Sequence, residues 1–276
     1  MLWRHPSIDF FREGFKEGRG CLALEAIKAG TLILHAPLEC CLVPSSIDST
    51  VELAMIHRIK KALEDEGDAL HEYLRGLRGR DEFKSHPVTW TDFRMEEELG
   101  GTLLIDVYKA TVGNWFTNGI LPDDETTRFA TAVMLSRCFE HELVGLALVP
   151  FADQFNHSSN NWHTRIREDG ANGFCMYAER DIAAGDQIFN FYGPYSNPWL
   201  LLTHGFTEDQ NPFNDLLLPD DNTVKSVCVT DLVFPTDLNK EELRSRLAQL
   251  KLASPLNTLI RDLEIVTLEQ LLTLPD

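Results

Sequence analysis

The stretch whose reading decides the fold runs from Val149 to Phe206, with VPFADQFNHSSNN at 149–161 and AERDIAAGDQIFNFYGPYSNPWLLLTHGF at 178–206. Asp153, Asn156 and His157 crowd together directly after an apolar run. Tyr192 and Gly193 close a strand-like run, Gln187 to Phe191. Polar clusters at the ends of apolar segments fit a site presented by a rigid scaffold. They equally fit two ordinary loops with their caps and turns.

The order of these pieces separates the two readings. NHS, then GDQIFNFYG, then SNPWLLLTHGF resembles the SET-domain protein methyltransferases, and among them the Rubisco-methyltransferase class. Members of that class read D-x-x-N-H, G-E-x-[IV]-x-x-x-Y-G-x-x-[ST]-N and L-L-x-x-Y-G-F. NHS or YG alone is weak evidence. The shared order and spacing, followed by Asn197, Leu201, Leu202, Gly205 and Phe206, carries the resemblance. It covers roughly residues 16–215 and weakens at both ends.

The resemblance implies an α+β chain: a SET-domain β-fold with a helical insert and a short, mostly helical C-terminal region. The expected divisions are 16–50 and 131–208 for the SET core, 51–130 for the insert and 209–276 for a substrate-binding-like region. Upstream, EGRGCLALEAIKAG at 17–30 is similar to the opening of a SET domain, whose loop lies against S-adenosylmethionine. Glu17, Gly18, Arg19, Gly20 and Cys21 are therefore cofactor-loop candidates, with Cys21 standing where an aliphatic residue is usual. From the residues alone, the glycines allow close backbone approach to a ligand, or simply a hairpin.

By the same resemblance, Arg137, Asp153, Asn156, His157 and Tyr192 are cofactor-side candidates. Phe139, His204 and Phe206 are substrate-side candidates, and Tyr192 is the candidate catalytic phenol. Residue chemistry alone allows plainer roles. Arg137 sits near a helix C-terminus, where a cation is favoured. His157 could be a buried histidine tying two loops together.

The implied chemistry is methyl transfer from S-adenosylmethionine, an in-line displacement on an already activated carbon. It requires alignment, desolvation and a neutral nucleophile. An unperturbed lysine, with a pKa of about 10.4, is neutral in roughly one molecule in a thousand near pH 7. An apolar channel and a nearby sulfonium both favour the neutral amine. The sequence departs from the class at LLLTHGF, where His204 replaces a tyrosine. Three readings follow: a lysine acceptor on a non-histone protein, a histidine acceptor, or a SET-like binding module with little turnover.

Composition narrows the partners. The 276 residues are 43% hydrophobic and 25% charged, as in a globular protein that can bury a substantial core. Net charge is −18, with 43 acidic against 25 basic residues. This disfavours nonspecific nucleic-acid binding and favours a protein substrate with a basic segment. No run approaches a membrane span and no secretory signal is seen, so an intracellular location is expected: cytoplasm, nucleus, or plastid if a transit peptide is missing. Cys21, Cys40, Cys41, Cys138, Cys175 and Cys228 form no CxxC pair or zinc-ligand spacing, so no metal is expected.

Elsewhere, periodicity places the elements. Residues 1–15 form a Phe-rich lead-in. Cys21, Ala23 and Thr31–His35 alternate as two short strands around Lys28-Ala29-Gly30. Helical spacing runs from Val51 through Leu77 and breaks at His86-Pro87. A further helix is expected from the Thr91 or Asp92 cap through Ala110, and another from Thr126 to Phe139. Strands are expected at 143–150, 164–167, 173–179 and 224–229. A charged helix is expected over Lys240–Leu252, and short helical patterns from Pro255 to Asp276.

Overall fold

The computed structural model describes residues 1–44, 50–78, 81–213, 215–220, 223–228, 239–252 and 259–273. The chain folds into two compact units. The first comprises Met1–Phe83 and Asp124–Pro194, the second Lys84–Asp123 and Tyr195–Asp276. The class is α+β.

The first unit is built on small antiparallel sheets. The Phe-rich lead-in is itself structural, forming β1 (Trp3–Arg4) and β2 (Ile8–Phe15). β3 (Gly18–Ala23) lies between β2 and β9 (Gln187–Ile188). β4 (Leu32–Ala36) lies between β1 and β8 (Phe174–Tyr177), with β7 (Ile166–Glu168) at the far edge. Thus β3 and β4 exist as expected, but each pairs with other strands. Gly30, at φ +83°, closes the turn between them, and Lys28 bonds Asp181 across it at 2.7 Å. These strands bury Cys21, Ala23, Ile33, Leu34, Met176 and Ile188 in one apolar core with Phe155 and Phe174.

Helices cover this unit. Thr50 caps α1 (Val51–Glu64), which buries Met55, Ile56 and Ile59. α2 (His71–Leu77) and the one-turn α3 (Asp81–Lys84, extending one residue past the unit boundary) follow. In the second unit, the single helix expected to run to Ala110 is two, α4 (Asp92–Leu99) and α5 (Leu103–Ala110). Gly100 and Gly101, the latter at φ +81°, interrupt it. α6 (Val112–Thr117) completes that group.

α7 (Glu125–Arg137) returns to the first unit. Its cap, Asp124, accepts bonds from the Thr127 backbone and from Lys60 of α1. Those bonds, the backbone one first, hold the Asp124 carboxyl down at about 2. The helix ends two residues earlier than its apolar pattern implied. Cys138 and Phe139 instead open β5 (Cys138–His141), which pairs with β6 (Gly145–Leu148).

In the second unit, α8 (Asn197–His204) packs Leu201 and Leu202 against Trp90, Leu99, Leu104 and Tyr108. β10 (Asp215–Asp220) and β11 (Thr223–Cys228) form a hairpin, and α9 (Lys240–Leu252) packs on α10 (Leu259–Thr273). Val229, residues 253–258 and residues 274–276 lie outside the described residues, so those ends of the expected elements do too. Packing therefore groups the helices differently from their order along the chain.

Candidate active site

The site begins at β3. Asn156 reaches across from a distant loop and donates through Nδ2 to the Arg19 carbonyl at 2.8 Å. Gly20 makes this possible. A Cβ there would lie 2.8 Å from both Asn156 Nδ2 and Gln187 Nε2, closer than packed atoms come. Cys21 pairs with Ile188 and is fully buried. Burial, then the nearby Asp153 and Asp9, push its thiol well above the ordinary range. It stays neutral and packs as a small apolar group, which explains why it can stand in an aliphatic position. Glu17 is exposed, and Arg19 pairs with Glu13 at 3.1 Å.

The NHS segment follows an unusual bend. Phe151 has φ +71°, alone among the described non-glycine residues in the left-handed region. Such a bulky residue adopts this conformation only under constraint. Its ring sits edge-on to Phe10 and Phe11, and the Arg4 guanidinium lies 4.1 Å above it. The bend turns Asp153 inward. There it receives Arg137 Nη1 at 3.1 Å and the Tyr73 hydroxyl, while its carbonyl accepts a second Arg137 bond at 2.6 Å. Glu82 accepts from the other terminal nitrogen, Arg137 Nη2, and Gln154 donates to Tyr73 at 2.7 Å.

This network is charged and largely closed to water. Burial alone would lower the Arg137 pKa, but Asp153 and Glu82 hold the guanidinium charged, above its ordinary value. Arg137 Nε is buried with no hydrogen-bond partner among the described residues. Tyr73 and Glu82 are members that sequence reasoning missed. Tyr73 reads as part of an apolar helix face, and only its polar tip marks it out. Phe139 follows on β5 and packs its ring 6.4 Å from Phe174 in the core.

The second strand-like run then threads beside the first loop. Asn190 N–H donates to the Asn156 carbonyl at 2.8 Å, and Asn190 forms parallel bridges with His157 and Thr164. Tyr192 N–H donates to His157 Nδ1 at 3.1 Å. That leaves the imidazole proton on Nε2, facing Ser159 Oγ at 3.0 Å. His157 is thus tied to both loops. The Tyr192 hydroxyl donates to the Phe155 carbonyl at 2.7 Å. Burial raises its pKa and the Arg137 charge only partly offsets that. The group remains a phenol whose proton is committed, and its oxygen retains lone pairs to accept a contact.

His204 and Phe206 belong to the second unit. His204 is half-buried at the end of α8, with Tyr195 at 5.8 Å and Phe206 at 6.2 Å between ring centres. Thr203 Oγ1 donates to the Trp199 carbonyl at 2.6 Å, so it accepts from His204 Nδ1 at 2.6 Å. Asn197 fixes the following loop in both directions, donating to the Glu208 carbonyl at 3.0 Å and accepting from its N–H at 2.9 Å. Among the described residues no His, Cys, Asp and Glu group could hold a metal ion, and no helix is long and apolar enough to cross a membrane.

The glycine strand, the Asn-His loop and the tyrosine-bearing segment threaded beside it all fall within residues 18–193, which the SET domain model matches. The chain belongs to the SET-domain family. Its fold is similar to the solved structure of Rubisco LSMT bound to AdoMet, with a TM-score of 0.64 and 21% identity over 92% of this chain and 70% of that one. The SET domain of LSMT bound to lysine and AdoHcy matches with a TM-score of 0.61 and 19% identity, over 92% of this chain and 70% of that one. Among curated proteins, ribosomal lysine N-methyltransferase set10 of Schizosaccharomyces pombe is 29% identical over 99 residues, 33% of this chain and 18% of that protein. Ribosomal lysine N-methyltransferase 4 of Saccharomyces cerevisiae is 30% identical over 82 residues, 29% of this chain and 16% of that protein. The matched stretches therefore span less than a fifth of either relative's length.

Proposed function

We propose that the chain is an S-adenosylmethionine-dependent protein methyltransferase that acts on a lysine of a non-histone protein. The observation that carries this reading is the threading of the Tyr192 segment beside Asn156 and His157, against the Gly20 strand. The residues fit such a cofactor. Gly20 lets Asn156 close on the Arg19 carbonyl, and Arg137 Nε is a buried donor suited to a carboxylate. Glu17–Cys21, Arg137, Asp153, Asn156 and His157 are assigned to the cofactor side. When bound, the cofactor supplies a methyl group on a sulfonium.

The chain's own part is orientation. The Arg137–Asp153–Tyr73 network braces the loop that carries Asn156 and His157. Tyr192 keeps its proton on Phe155 O and offers its oxygen lone pairs to an amine or to methyl hydrogens. It is not a base, because burial raises its pKa. Phe139, His204 and Phe206 are assigned to the acceptor side.

The relatives named as ribosomal lysine methyltransferases support a lysine acceptor on a non-histone protein. A net charge of −18 suits a substrate with a basic segment. His204 in a tyrosine position favours a second reading, a histidine acceptor. Isothermal titration with S-adenosylhomocysteine should show one site per chain. A folded protein that binds none would overturn the proposal. Labelled-cofactor incubation with ribosomal and other protein fractions, read by mass spectrometry, distinguishes lysine, histidine and no acceptor.

A further inference from the structure

The His204–Phe206 turn is held from outside its own helix, and the holding group is His86. His86 is 1% exposed and cannot meet an acceptor itself. Its Nδ1 accepts from Val88 N–H at 3.3 Å. The ring proton therefore lies on Nε2, which donates to the Thr203 carbonyl at 3.1 Å. That carbonyl is one of the last in α8, where helix carbonyls lack an intrahelical partner.

Gly205 completes the contact. It caps α8 in the left-handed conformation at φ +79° and returns its N–H to the Leu201 carbonyl at 3.0 Å. A Cβ at Gly205 would lie 3.0 Å from His86 Cα and 3.1 Å from its Cβ. The turn thus seats against the His86 backbone while the imidazole grips the residue before His204. Asn197 holds the same segment from beyond, at Glu208. His86 is itself set by its neighbours. Pro87 opens a one-turn helix, and the Trp90 indole bonds the Lys84 carbonyl at 3.1 Å.

We propose that His86 is a positioning residue that sets where His204 and Phe206 stand, and through them acceptor recognition. The second half rests on the assignment of His204 and Phe206 to the acceptor side. Two variants separate the terms. His86→Leu keeps bulk and loses both bonds, whereas His86→Gln keeps an N–H donor that can reach the Thr203 carbonyl. Two readouts are taken on each. The first is the set of His204 and Phe206 resonances in isotope-labelled protein, which needs no turnover. The second is steady-state kinetics on an identified acceptor, alongside S-adenosylhomocysteine affinity.

In His86→Leu the His204 and Phe206 resonances should move. Acceptor kcat/KM should fall about tenfold to a hundredfold, as small misplacements near a reacting group do. Cofactor affinity should stay within about threefold, below the loss of one good hydrogen bond. His86→Gln should recover most of both signals. Unmoved resonances in a folded His86→Leu protein would overturn the grip. Moved resonances with unchanged acceptor kinetics would uphold the grip and overturn the acceptor-side assignment.

Discussion

Gly20 and Asn156 should be energetically coupled, and the coupling can be worked from their geometry. Gly20 lies outside the left-handed region, so alanine is allowed there on backbone grounds. The obstacle is space. A Cβ would meet Asn156 Nδ2 and Gln187 Nε2 at 2.8 Å each and Phe15 Cδ2 at 3.2 Å. Both amides end flexible side chains, so they move. Moving Asn156 breaks its 2.8 Å bond to the Arg19 carbonyl. Gly20→Ala should therefore cost that bond, about 1 kcal/mol, plus about 1 kcal/mol for repacking. Asn156→Ala removes the bond and one obstacle together, and should cost about 1 kcal/mol. In that background Gly20→Ala has only Gln187 and Phe15 to displace. The double variant should then be more stable than the sum of the singles by about 1 kcal/mol. Urea unfolding of the four proteins at pH 7 measures the cycle, and S-adenosylhomocysteine titration repeats it for affinity. Additivity within about 0.5 kcal/mol would refute the shared contact.

Tyr192→Phe should cut turnover while S-adenosylhomocysteine affinity stays within about threefold, and should lower stability by about 1 kcal/mol through loss of the bond to Phe155; an unaltered rate would show the hydroxyl is not needed. His204→Tyr should raise lysine turnover or change the product distribution with little change in cofactor affinity, as product mass spectra can show; unchanged rates and products would leave Tyr192 as the sole candidate phenol. Burial lowers the His86 pKa from 6.5 to about 4. The unfolded chain therefore takes up this proton first on acidification. The contribution is fully present above about pH 6.5 and lost as pH falls toward 4, a difference of about 3 kcal/mol. Wild-type urea midpoints should fall more between pH 7 and 4.5 than those of His86→Leu; parallel declines would contradict a buried neutral His86.

The fold was legible where short patterns sit in a fixed order. NHS, YG and SNPWLLLTHGF marked the threaded loops, and the helical period marked α1, α7 and α9. Pairing was less legible, because alternation announces a strand and not its partner. β3 and β4 adjoin in sequence yet belong to different sheets. The helix boundary at Arg137 escaped notice because Cys138 and Phe139 continue an apolar pattern that either element can use. Tyr73 and Glu82 were hidden for a related reason. Their role lies in the Asp153 and Arg137 groups they meet, and no local pattern encodes a meeting across the chain.

The bond from Asn156 to Arg19 joins residues 137 positions apart, and the Tyr192 hydroxyl closes a further span of 37. Such closures carry a loop entropy that must be met before the contacts reward it. The site should consequently assemble late, after α1 and α7 have packed, and a chain still emerging from the ribosome has no site until the Tyr192 segment has been made. Competence to bind a ligand there then reports completion of the fold. Ligand added during refolding should leave the early phases untouched and act only on the last.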